Sequence, residues 1–213
     1  MFNITPLVRT LIIINVVVFL GQQFLTNIYT AQLADGRFVL MGLKDILSLW
    51  SMNPDLFVGF FKPYQFLTYM FAHGDFGHIF FNMFALASFA PILEQYWGEK
   101  KFLFFYLATG IGAGIIYSLV NYFLFPGDGS MLGASGALYG IMMAFGMIFP
   151  NLELMLLFPP IPIKAKYMVF VIGLITYFMD RSGSVAHLAH FGGAFVAFII
   201  ISVWRSQGKD RGY

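Results

Sequence analysis

The chain has no cysteine among its 213 residues, which excludes disulfide cross-links, thiol nucleophiles and thiolate-held metals. It is also poor in charge. Asp, Glu, Lys and Arg make up 10% of it, against roughly 25% in soluble globular proteins. A net charge of +2, with the basic residues spread between apolar stretches, argues against a nucleic-acid partner. Instead, 59% of the residues are hydrophobic and the mean hydropathy is +0.78. This composition belongs to a polytopic membrane protein, with the lipid bilayer as its solvent. Met1 to Thr10 carries one basic residue and is followed by no small-residue cleavage signal, so the first apolar run reads as a retained span instead of a signal peptide.

Polar, Gly or Pro punctuation divides the apolar sequence into six candidate spans, about 11–29, 77–96, 102–125, 131–149, 167–179 and 185–204, each near the ~20 residues a bilayer requires. The expected fold is therefore all-α: a polytopic bundle of six transmembrane helices in a single domain, 1–213. Pro159, Pro160 and Pro162 must precede any regular helix in the fifth span. The connection at about 30–65 mixes Asp35, Lys44 and Asp55 with Leu47, Trp50 and Phe57, which suits a segment lying in the membrane interface with Trp50 at headgroup level. Eight basic residues fall on the side of the two termini and four on the other. By the positive-inside rule both termini are cytoplasmic, as in an inner or cell membrane.

With that topology, His73 and His78 stand at the entrance to the second span, Ser135 in the first turns of the fourth, and His187 and His190 at the start of the sixth. Even-numbered helices enter from the extracytoplasmic side, so all the histidines and this serine share one leaflet. Ser135 and His190 are each expected roughly 5 to 8 Å below their helix starts. A hydroxyl and an imidazole are costly in apolar spans unless they meet partners. Histidine can accept the proton that keeps a serine hydroxyl from being a nucleophile, and the small residues Gly133, Ala134, Gly136 and Ala137 would let a second helix and a substrate backbone approach. No acidic residue is placed to complete a triad, so a dyad is expected, with Tyr139 one turn from Ser135 stacking on the imidazole. The backbone N–H of Ser135 and the side chains of His78 and Asn82, four apart on one helix face, are candidate oxyanion donors. Taken singly, a serine among glycines is usually a packing residue, and independent packing residues have no reason to choose one leaflet. A water-filled polar cavity bounded by His73, His78, Asn82, Ser135, Tyr139 and His190 is expected. The Phe125-Pro126-Gly127-Asp128-Gly129 connection is expected to let the fourth helix begin below the membrane surface.

These residues give the chain a resemblance to the rhomboid intramembrane serine proteases, over about 60–205 and in family order. His73 with His78-Ile79-Phe80-Phe81-Asn82 resembles the second-helix motif, Glu94 with Gly98 its cytoplasmic end, Gly133-Ala134-Ser135-Gly136 the GxSG motif, and His190 with Gly193 the sixth-helix motif. The resemblance implies a minimal six-helix core with Ser135 as nucleophile, His190 as general base and acid, and His78 and Asn82 as oxyanion donors. It also implies a membrane-anchored protein substrate whose transmembrane segment unwinds near the extracytoplasmic face, and no cofactor or metal. It selects His190 over His187, because glycine follows three residues after it. Two departures stand out: Tyr64-Gln65 where many members carry Trp-Arg, and Ala197 where a second glycine is common. The alternative reading is a histidine-ligated metal or haem membrane protein using His73, His78, His187 and His190, although the five- and three-residue spacings suit chelation less well than i, i+4 and HExxH is absent. A transporter would instead place its polar groups near the midplane in matching halves. Oligomeric state is left open.

Overall fold

The computed structural model describes residues 4–25, 29–32, 36, 38–50, 62–124, 130–155, 160–179 and 185–209. Its long elements are α1 (Pro6–Phe24), α4 (Phe76–Trp97), α5 (Glu99–Phe123), α6 (Ser135–Ile148), α7 (Ala165–Met179) and α8 (Val185–Ser206). Together they make a polytopic helical membrane bundle. Between α1 and α4 lie the hairpin β1 (Tyr29–Gln32) and β2 (Phe38–Met41), the short helix α2 (Leu43–Leu47), β3 (Leu49–Trp50), α3 (Gln65–Thr68) and a 3-10 turn, Tyr69–Phe71. The strand β4 (Ser130–Met131) precedes α6, and a second hairpin of β5 (Glu153–Met155) and β6 (Pro162–Lys164) carries the chain into α7. The side chain of Trp50 and the 125–129 connection lie outside the described residues.

Four of the helices, α1, α4, α5 and α8, are long and apolar enough to cross a membrane. α6 and α7 have 14 and 15 residues, about 21 and 22 Å at 1.5 Å per residue, short of the ~30 Å hydrocarbon core. α6 holds the centre. It touches α4, α5, α7 and α8, and nine of its residues, including Tyr139, Ile141 and Phe145, are buried. Small residues permit this crowding. A Cβ added at Gly140 would lie 2.7 Å from Thr109 Cβ, and one at Gly136 would lie 2.9 Å from Ala113 Cβ, so two turns of α6 seat on two turns of α5 in the close packing that replaces hydrophobic drive within lipid.

Several boundaries differ from those expected. α1 starts at Pro6 and ends at Phe24, where a span of 11–29 was expected. Proline suits the first helical position, and the preceding turn is held by a distant residue. Glu94, buried near the end of α4, accepts from the Thr5 hydroxyl, from the N–H of Val8 at 2.9 Å and from that of Leu7 at 3.3 Å. A carboxylate here meets the orphan amides and positive end of α1 and ties its first turn to α4. α6 begins at Ser135, not at 131, because Met131 and Ser130 pair with Leu49 and Trp50 and Gly133 turns at φ 110°, a conformation closed to most L residues. α5 begins at Glu99, directly after the Gly98 turn.

The Tyr64-Gln65 departure brings its own anchorage. Gln65 is buried, donates from Nε2 to Ile46 O at 3.1 Å and accepts from Lys62 N–H at 3.0 Å, while Thr68 Oγ1 donates to Leu47 O at 3.0 Å. At the end of the bundle opposite Ser135, Trp97 and Trp204 meet edge to face at 5.3 Å under Lys101, whose ammonium lies 4.6 Å from the Trp204 ring.

Candidate active site

Ser135 is the first residue of α6. Its backbone N–H therefore has no acceptor within the helix and points out of the positive helix end. The approach is fixed from below by Tyr69: its carbonyl accepts the Gly133 N–H at 2.8 Å, and its hydroxyl donates to Gly110 O at 2.6 Å.

His78 and Asn82 come to the same place from α4. Asp75 caps that helix, accepting the His78 N–H at 2.9 Å, so the His78 ring sits in the first turn with Asn82 one turn further on the same face. Gly74 N–H donates to His78 Nδ1 at 3.4 Å. In the neutral ring this leaves the proton on Nε2, which becomes a donor. A Cβ on Gly133 would lie 2.5 Å from His78 Nε2 and 3.4 Å from Asn82 Nδ2, so both donors converge on the backbone two residues before Ser135. Asn82 is buried, and among the described residues its Nδ2 has no hydrogen-bond partner. A buried amide donor left unmatched is costly, and a developing oxyanion would satisfy it.

His190 arrives from α8, five residues into the helix. Tyr139, one turn along α6 from Ser135, stacks on it with ring centres 4.2 Å apart and planes 7° from parallel. One turn after His190 the two helices meet backbone to backbone: a Cβ on Gly193 would lie 1.9 Å from Gly136 O. These contacts bring His190 onto the face of α6 that carries residues 135 and 139.

His73, fully buried just before α4, stands edge-on to His78 at 5.0 Å. Burial, helped by the neighbouring His78, lowers its imidazole pKa to about 4, so it is neutral near pH 7. His187 packs instead against Tyr177 of α7 at 5.1 Å, and its ring centre is 6.3 Å from that of His190. The four histidines thus form two pairs, one at the start of α4 and one on α8, and among the described residues no three His, Asp or Glu side chains converge as a metal site would require. A groove of about 320 Å3 between α6, α7 and α8 is lined by Tyr139, Thr176, His187 and His190 with apolar side chains such as Val169 and Phe195. It differs from the expected polar cavity: His78, Asn82 and Ser135 are not among its lining residues.

Two polar residues next to the site escaped the sequence reading. Gln22 of α1, buried, grips the backbone of His73, donating to its carbonyl at 3.0 Å and accepting its N–H at 3.1 Å. Thr176 of α7 lies 2.8 Å from the Tyr139 hydroxyl. Each is a polar residue in an apolar span, the signal that singled out Asn82.

An apolar helical bundle that gathers a serine, histidines and an asparagine at one end defines a polytopic membrane protein with a built polar site. The Rhomboid domain family model matches residues 61–207, and the chain belongs to the rhomboid family. It is similar to "Rhomboid protein 1, mitochondrial" of Saccharomyces cerevisiae, 33% identical over 137 residues, covering 61% of this chain and 38% of that protein. It is also similar to "Rhomboid-like protein 11, chloroplastic" of Arabidopsis thaliana, 28% identical over 179 residues, 79% of this chain and 59% of the relative. "Putative rhomboid protease YdcA" of Bacillus subtilis is 29% identical over 157 residues, 70% of this chain and 71% of the relative. The chain therefore spans 38% of the yeast relative and 59% of the Arabidopsis relative it matches, under two thirds of each.

Proposed function

We propose that the chain is an intramembrane serine endopeptidase, a single rhomboid-like membrane domain that cleaves the transmembrane segments of membrane-anchored proteins. The observation that carries the reading is the convergence at the start of α6: His78 and Asn82 on Gly133, the first-turn amide of Ser135, and His190 held over Tyr139. In this reading Ser135 Oγ attacks the scissile carbonyl carbon as the His190 imidazole takes its proton. The oxyanion accepts hydrogen bonds from Ser135 N–H, His78 Nε2–H and Asn82 Nδ2–H. The tetrahedral intermediate collapses as His190 returns the proton to the leaving amide nitrogen, releasing an amine and leaving an ester on Ser135. Water, deprotonated by His190, hydrolyses that ester. The substrate must unwind locally, since a helical peptide bond in lipid keeps its own hydrogen bonds. The basic-residue asymmetry supports a site toward the extracytoplasmic face of a cell membrane, with both termini cytoplasmic. Purified protein in detergent is expected to cut a generic single-span substrate, and Ser135→Ala to abolish the cut. Cleavage that persists in Ser135→Ala would remove the serine from the mechanism.

A further inference from the structure

Stacking alone does not fix a tyrosine ring in its own plane, and here a third helix supplies the missing restraint. Thr176 Oγ1 lies 3.0 Å from both Ile172 O and Gly173 O. Carbonyls only accept, so the single hydroxyl hydrogen of Thr176 is directed to them, and Thr176 must accept in its 2.8 Å contact with Tyr139. Tyr139 is the donor. Its ring is thereby held at two places, by the face stacked 4.2 Å from His190 and by the hydroxyl bonded to α7. Tyr139 is buried, so without Thr176 the hydroxyl loses its partner where a replacement is hard to find.

We propose that Thr176 is a positioning residue for the general base, holding His190 through the Tyr139 ring and coupling the place of α7 to the alignment of the imidazole with Ser135. The proposal rests on the protease reading above. Thr176 touches neither reacting atoms nor Ser135. It borders the groove between α6, α7 and α8 together with Tyr139 and His190, so this hydrogen bond carries a change in the position of α7 to the base, beside the packing of Tyr177 on His187.

The test is Thr176→Val, which keeps the branched shape and removes only the hydroxyl. Three quantities are read: kcat and KM for a single-span substrate, and the second-order rate of Ser135 labelling by a small fluorophosphonate, which does not depend on docking a helix. We expect Thr176→Val to lower kcat and the labelling rate by about 3- to 10-fold, the scale of one lost hydrogen bond, with KM unchanged. Thr176→Ser should restore most of the rate. Tyr139→Phe breaks the same bond from the other side and serves if the valine variant misfolds, and the double variant should be no worse than the poorer single. Valine and unsubstituted rates that agree, additive losses in the double variant, or a loss confined to KM would overturn the role of Thr176. An unsubstituted protein that neither labels nor cleaves would instead overturn the protease reading on which it stands.

Discussion

Gly193→Ala is the sharpest mechanical test of how the base is delivered. The added Cβ would fall 1.9 Å from Gly136 O, 2.7 Å from its carbonyl carbon and 3.3 Å from its Cα. These are backbone atoms of the central helix, one residue from Ser135, so no rotamer can relieve the clash. A carbon and a carbonyl oxygen approach to about 3.3 Å at closest, so α8 must retreat by about 1.4 Å. His190 is one turn away on α8 and moves with it. A displacement near 1 Å at reacting groups can cost about 100-fold in rate, while overpacking of this kind costs about 1–3 kcal/mol of stability. Gly192→Ala is the internal control: its Cβ would meet Ile116 Cβ at 3.2 Å and Ala113 Cα at 3.3 Å, gaps that close with shifts of a few tenths of an ångström. Cleavage of a single-span substrate, with thermal unfolding in detergent measured in parallel, should show Gly193→Ala at least about 100-fold slower and folded, and Gly192→Ala within about 10-fold of the parent. If Gly193→Ala cleaves within a few-fold of the parent, the contact at Gly136 does not set the alignment of the base.

Three more outcomes are expected. His78→Ala and Asn82→Ala should each lower kcat by about 10- to 1000-fold with little change in KM, the scale of a lost oxyanion donor; an effect on KM alone would make them substrate-positioning groups. Glu94→Ala strips the acceptor from Thr5, Leu7 and Val8 at a buried helix start and should cost about 1–3 kcal/mol, read as a lower Tm in detergent, an unchanged Tm being the contrary result. For His73, a folded-state pKa of about 4 lies below the free value of 6.5, so the unfolded chain binds more protons between those values. Stability should fall as pH drops from about 6.5 toward 4, and the slope should flatten in His73→Gln; equal slopes would argue against a buried neutral imidazole.

Much of the architecture was legible because lipid imposes it. Runs of apolar residues between Gly/Pro punctuation gave the order of the six long helices, and polar side chains that such runs do not tolerate without reason pointed to 78, 82, 135 and 190. Helix ends were less legible, since they depend on distant partners. Nothing near Pro6 announces that Glu94 closes the turn before it, and nothing near Met131 announces that Leu49 pairs with it and delays α6 to Ser135. The shortness of α6 and α7 was hidden for the same reason. Gln22 and Thr176 show a further limit: a polar residue in an apolar run is visible in sequence, but its partner, 51 or 37 positions away, is set only by how the helices pack.

The most direct test of the central claim is to treat the folded, detergent-solubilised protein with a fluorophosphonate and map the adduct by mass spectrometry, in the parent and in His190→Ala. A single adduct on Ser135 is expected, lost in His190→Ala and retained in His187→Ala. An adduct on Ser135 that survives His190→Ala at the parental rate, or its loss in His187→Ala instead, would contradict it.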